Sequence, residues 1–129
     1  MEKYFNAFSN ISAVIGGTLV YLLGGWDSLI EVLVYLMCID YFTGILKALY
    51  LKKLSSNVGY KGIIKKVIML SIVSVAVLCE KMGIPAVREI VITFFCANEG
   101  ISILENAAET GINLPDKLKD SLLQIRNKK

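Results

Sequence analysis

The sequence predicts an all-α membrane protein: a small helical bundle of about four transmembrane helices, followed by a short basic amphipathic C-terminal helix. Three observations predict it. Of the 129 residues, 55% are hydrophobic, and the mean hydropathy is +0.61, more apolar than a soluble domain of this length needs to be. The apolar residues fall in long blocks, and Tyr4 to Gly25 contains no charged residue. The lysines concentrate between the blocks. The chain therefore reads as one integral-membrane domain over residues 1–129, with spans expected at 8–25, 29–51, 63–79 and 86–108 and a tail at 112–129.

The first expected span is rich in small residues. Ser12 and Gly16, and Ala13 and Gly17, have the small-xxx-small spacing that lets helix backbones approach closely in lipid. Gly24, one heptad beyond Gly17, extends that groove. The block is read as a retained membrane helix and not as a cleaved signal peptide. Lys3 alone supplies a basic flank, and no small-residue cleavage site precedes Trp26. Gly24 to Ser28 form a tight turn with Trp26 at the interface, and Ser28 with Glu31 spells a capping box for the next helix.

The second span, Leu29 to Leu51, organises the rest. It is long enough to cross a hydrocarbon core of about 30 Å, yet it carries Asp40 near its middle. A charge there costs roughly 2.5–3.5 kcal/mol on insertion scales. Asp40, Thr43, Gly44 and Lys47 share one helical face. That polar stripe calls for a partner helix or water, and Asp40 is tolerable there if it is partnered by Lys47 or protonated in a low-dielectric setting.

Lys52 to Gly62 is a polar loop and, with Lys65 and Lys66, forms the densest basic cluster. The positive-inside rule puts it in the cytoplasm, which explains the cluster better than a nucleic-acid patch does. The third span is short in uninterrupted apolar residues, Val67 to Cys79. It crosses if Lys65 and Lys66 snorkel to the headgroups; a re-entrant or tilted segment is the alternative. Gly83 suits a C-cap and Pro85 the next helix's first turn. The fourth span has a polar second half, with Glu99, Ser102, Asn106 and Glu109 on one stripe. Gly111 stops it. In the tail, Leu118, Leu122 and Ile125 share a face flanked by Lys117, Lys119, Arg126, Lys128 and Lys129. That pattern fits a helix lying on an anionic membrane surface or packing on another subunit. Four spans with the basic loop inside put both termini in the cytoplasm. Lys52, Lys53, Lys61, Lys65, Lys66, Lys128 and Lys129 then face the inner leaflet.

There is no histidine, and Cys38, Cys79 and Cys96 form no CxxC pair. They read as buried reduced thiols. Neither a metal site, a cofactor nor an enzyme's catalytic constellation can be assembled from this set.

An ordered set of motifs then emerges: Asp40-Tyr41-Phe42-Thr43-Gly44; Ser55-Ser56, Gly59, Gly62 and Lys65-Lys66; Asn98-Glu99-Gly100-Ile101-Ser102-Ile103-Leu104-Glu105-Asn106; then Gly111, Pro115 and Leu118. In order and spacing it resembles the toxin-secretion and phage-lysis holin family of Gram-positive bacteria and their phages. The likeness covers roughly Asp40 to Leu122. The resemblance implies a non-enzymatic protein of the bacterial cytoplasmic membrane that forms homo-oligomers. It implies timed holes through which an endolysin, or in some clostridia a toxin, leaves the cell. Two other readings of the residues stand beside it: a small ion channel or transporter subunit, and a non-pore membrane adaptor.

Overall fold

The computed structural model describes residues 1–127 and consists there of five helices and no strand: α1 (Glu2–Leu22), α2 (Ser28–Tyr50), α3 (Ser56–Lys81), α4 (Val87–Glu109) and α5 (Asp116–Asn127). Lys128 and Lys129, expected at the membrane surface, lie outside the described residues. α1, α2 and α3 are each long and apolar enough to cross a membrane. α4 has the length of a span but not the apolar composition, because its second half carries Asn98, Glu99, Glu105, Asn106 and Glu109.

Caps place the boundaries. α1 begins at Glu2, six residues before the expected start, and ends at Leu22. Gly24 and Gly25 follow it at φ +83° and +101°, left-handed values that glycine adopts without penalty. Gly24 is thus a turn residue and not part of a helical groove. The cap of α2 is Asp27, whose carboxylate accepts from Ile30 N at 3.1 Å. Ser28 becomes the first helical residue, so the expected Ser28–Glu31 box does not form.

α3 is the largest departure from expectation. Ser55 caps it, its hydroxyl accepting from Val58 N at 3.4 Å. The helix then runs unbroken for 26 residues. Most of the supposed loop is helical, and the unbroken helix is long and apolar enough to cross a membrane. Gly83, at φ +97°, follows its C-cap. Pro85 stays outside α4, which begins after Ala86 at φ +63°.

α2 and α3 both pack along α4 and touch each other less. Ile30, Leu33 and Met37 of α2 meet Val73 of α3 and Ile92 of α4, with Met69, Leu70, Phe95 and Cys96 around them. Between helices in lipid, shape fit and hydrogen bonds hold such a core, because the surrounding tails are as apolar as the side chains. Cys38 faces outward and is not buried, and Cys79 and Cys96 are half-buried; all three are free thiols.

α5 folds back along α4. Leu122 occupies the space beside Gly100, where an added Cβ would meet its Cδ1 at 3.1 Å. The tail helix therefore docks on its own chain, while Leu118 and Ile125 remain exposed.

α1 stands apart. None of its residues is buried, and Gly16 and Gly17 have nothing within 4 Å of an added Cβ. Its ties to the bundle are at its C-terminal end. The Lys81 ammonium donates to the Tyr21 hydroxyl at 3.1 Å and sits 4.7 Å from that ring's centre.

Candidate functional site

Asp40 lies twelve residues into α2 and Glu99 twelve residues into α4, so the two acids reach a similar depth on neighbouring helices. Between them stands Lys66 of α3. Its ammonium is 2.8 Å from Asp40 Oδ2 and 2.7 Å from Glu99 Oε2. All three side chains are largely enclosed, at 14%, 8% and 16% exposed for Asp40, Glu99 and Lys66. The expected Asp40–Lys47 pair does not form. Lys47 instead meets Glu109 at 3.4 Å on the open side of the bundle. Nor does Lys66 snorkel to the surface. Because α3 starts at Ser56, Lys66 is ten residues inside a helix, at the level where α2 and α4 present their acids.

Asn106 completes the centre from α4. Its amide donates to Asp40 Oδ1 at 3.2 Å, to the Asp40 carbonyl at 3.3 Å and to Thr43 Oγ1 at 3.0 Å. Thr43 in turn donates to the Asp40 carbonyl at 3.1 Å. Gly44 keeps this approach clear: an added Cβ would stand 3.7 Å from Asn106 Nδ2. Among the described residues no buried side-chain nitrogen or oxygen lacks a partner. A cation shared between two carboxylates, with an amide on Asp40 Oδ1, offsets much of the cost that this depth would otherwise impose on the charges.

Beside the centre opens a cleft of about 960 Å³. α4 forms its back, and the C-terminal half of α2 and the N-terminal half of α3 form its sides. Lys47, Lys53, Lys61, Lys65, Ser102 and Glu105 all reach it, as do Ile45, Leu51, Val58 and Ile68. Ser102, half-buried, thus faces the cleft and not the ionic centre. Lys52 is exposed, at φ +56° in the turn after α2. Ser12, Ala13, Gly16 and Gly17 are brought to no site within this chain.

A second polar cluster, at the other end of the bundle, was not foreseen. Arg88, at the start of α4, is buried. Its guanidinium grips the Asp27 carboxylate through two bonds of 2.6 and 3.1 Å. It also donates to the carbonyls of Leu23 at 2.7 Å and Gly25 at 3.3 Å. Its backbone N–H donates to Glu80 Oε1 at 3.0 Å. Gly24 makes room, since an added Cβ would come within 2.6 Å of Arg88 Nε. In sequence Arg88 invites pairing with Glu89, but adjacent residues of a helix do not face each other. The Arg88 hydrogen bonds hold the Asp27 carboxyl below the usual carboxylate range.

The chain matches the bacteriophage holin family over residues 17–127. It is 37% identical to an uncharacterized 14.9 kDa protein of the nagH 3′ region in Clostridium perfringens, with both chains fully covered. An uncharacterized protein of Listeria innocua is 42% identical over 84% of this chain and 79% of its own. The uncharacterized protein YqxH of Bacillus subtilis is 35% identical over 85% and 79%. No solved structure matches. The match takes in α2, α3, α4 and all the residues of the ionic centre, and on its extent the chain belongs to the bacteriophage holin family.

Proposed function

We propose that this protein is a holin that crosses the cytoplasmic membrane several times, with both termini inside, and assembles into holes that open after a delay. Through them an endolysin or a secreted toxin reaches the cell wall. Family membership supports this reading, and one observation carries it. Three helices bury an ionic centre, Asp40–Lys66–Glu99, near the middle of their length, with Asn106 reaching it from the last turns of α4. Within one chain these groups satisfy each other, so the bundle is tolerable in lipid. Separated in an assembly, the same groups are a ready lining for a water-filled lumen. Opening then exchanges protein–protein polar contacts for water, and the exposed basic residues Lys52, Lys53, Lys61 and Lys65 anchor the inner face on anionic lipid.

The test is inducible expression in a bacterium that carries a folded cytoplasmic reporter enzyme. Membrane potential and reporter release from spheroplasts are followed together. A delayed, abrupt loss of potential with escape of active reporter is the expected outcome. Lost potential with the reporter retained would instead indicate a narrow channel. If neither changed, the chain would be a membrane adaptor.

A further inference from the structure

α1 presents 21 residues with none buried, and no α1 residue lines the cleft of its own chain. The Tyr21–Lys81 contact and the Arg88 bonds to Leu23 and Gly25 hold its end against α3 and α4 instead. Asn6 and Asn10 lie on one face, four residues apart, and neither side chain makes a hydrogen bond among the described residues. A carboxamide inside a spanning helix finds no partner in lipid, and such groups draw helices together.

The depth of these two residues is informative. Successive spans alternate in direction, so α1 and α2 share a level at the turn that joins them. Twelve residues inward from Leu22 is Asn10; twelve from Ser28 is Asp40, and twelve from Val87 is Glu99. The polar half of α1 therefore stands at the level of the polar half of the bundle, where the cleft opens. The cleft offers apolar sides from Ile45, Val58 and Ile68, and hydrogen-bonding groups from Asn98, Ser102 and Glu105. A ten-residue helical segment, about 15 Å long and 10 Å wide, fills on the order of 10³ Å³, which matches the 960 Å³ available.

We propose that α1 of one copy docks in the α2–α3 cleft of the next, with Asn6 and Asn10 against the Asn98–Ser102–Glu105 wall. This rests on the holin reading and names the partner for its assembly. The contact is head-to-tail: one copy gives its α1 and offers its cleft. Such contacts close into rings or extend as open arrays, and they do not stop at a dimer.

The experiment uses the full chain in bacterial membranes, with Cys38, Cys79 and Cys96 replaced by alanine. One tagged copy carries Asn10→Cys and a differently tagged copy carries Ser102→Cys, and a bismaleimide is added. The expected result is an adduct bearing both tags, at least tenfold above any Asn10→Cys self-adduct. Adding Asn6→Leu to the first copy should lower it several-fold. Self-adducts of Asn10→Cys in place of the mixed one would mean a symmetric α1–α1 contact and overturn the proposal. Absence of both adducts would mean that α1 and the cleft face lipid, which also overturns it. Asn6→Cys with Lys61→Cys provides a second pair if either first variant fails to reach the membrane. The adduct is read without reference to permeabilisation. A mixed adduct with no reporter release would therefore keep the docking and remove the holin reading.

Discussion

Lys66 has the most to lose from substitution. Replacing it by methionine keeps the stem's packing but leaves the Asp40 and Glu99 carboxylates facing each other without a cation. Breaking a buried ion pair on one side costs about 3–5 kcal/mol. Lys66→Met is therefore expected to destabilise the detergent-solubilised chain by an amount of that order, read by denaturation monitored through helicity. The combined Lys66→Met, Asp40→Asn, Glu99→Gln variant should recover most of the loss, since neutral side chains of similar size need no counter-charge. A loss of equal size in the combined variant would mean that packing, and not charge, is what Lys66 contributes. Asp27 behaves differently. Its pKa is lowered by Arg88, so its contribution is present above the unfolded carboxylate value of about 3.9 and is lost as pH falls through the lower folded value. Stability should be insensitive to this pair from neutral pH down to about 5 and fall below about 4. In Asp27→Asn that acid-side fall should shrink; an unchanged acid limb would exclude the pair as its source. The acids of the centre were legible in the sequence because a carboxylate in an apolar block is conspicuous. Lys66 was not: a lysine beside another lysine at a block's edge has the look of a topology signal. Only the cap at Ser55, eleven residues upstream, reveals that it is interior.

At the scale of elements, errors in reading trace to helix ends and not to helix identity. Four helical segments and a helical tail follow from blocks and periodicity. Their boundaries follow from the side chains of Asp27 and Ser55, which accept the first free backbone N–H groups. Ser28 had the same chemistry as Asp27 one residue away, and composition does not choose between them. The tail had an amphipathic face whose covering surface the sequence left open, and here Gly100 decides. A side chain at position 100 would occupy the space that Leu122 fills. Gly100→Ile is therefore expected to displace α5 while leaving α2, α3 and α4 packed. Limited proteolysis checks this: cleavage after Lys117 or Lys119 should speed up at least fivefold in the variant, with the rest of the chain still protected. Unchanged tail cleavage would mean that α5 is held by contacts other than Leu122 on Gly100. Gly16 and Gly17 are the contrast, since alanine at either position meets nothing in the same chain and should leave the folded monomer unaffected.

For the whole molecule, the bundle has two ends of different character. Arg88 fastens the turn between α1 and α2 to the start of α4, while the opposite half contains the ionic centre and an open cleft. That asymmetry puts a dense hydrogen-bonded cluster at one end of the bundle and an open cleft at the other. Counted as formal charges, two carboxylates against one ammonium leave the centre one net negative charge. A unit charge crossing the full membrane potential is worth about 2.3 kcal/mol per 100 mV; halfway through, the term is roughly half of that. If opening brings that charge from mid-membrane to the potential of one aqueous face, a collapse of about 100 mV shifts the balance between the packed and open arrangements by about 1 kcal/mol per chain, and many chains in one assembly multiply the shift. A protonophore added before the normal time should trigger early release of the cytoplasmic reporter from cells expressing this chain. Asp40→Asn removes the net charge while keeping an amide or carbonyl within reach of Asn106. In that variant the protonophore should advance release much less, whatever the variant's own unprompted timing. Glu99→Gln should act in the same way, because either substitution brings the centre to neutrality. If both variants responded to the protonophore as the parent does, the charge of the centre would not be the voltage-sensing element. The trigger would then have to lie in the charged residues at the two membrane faces.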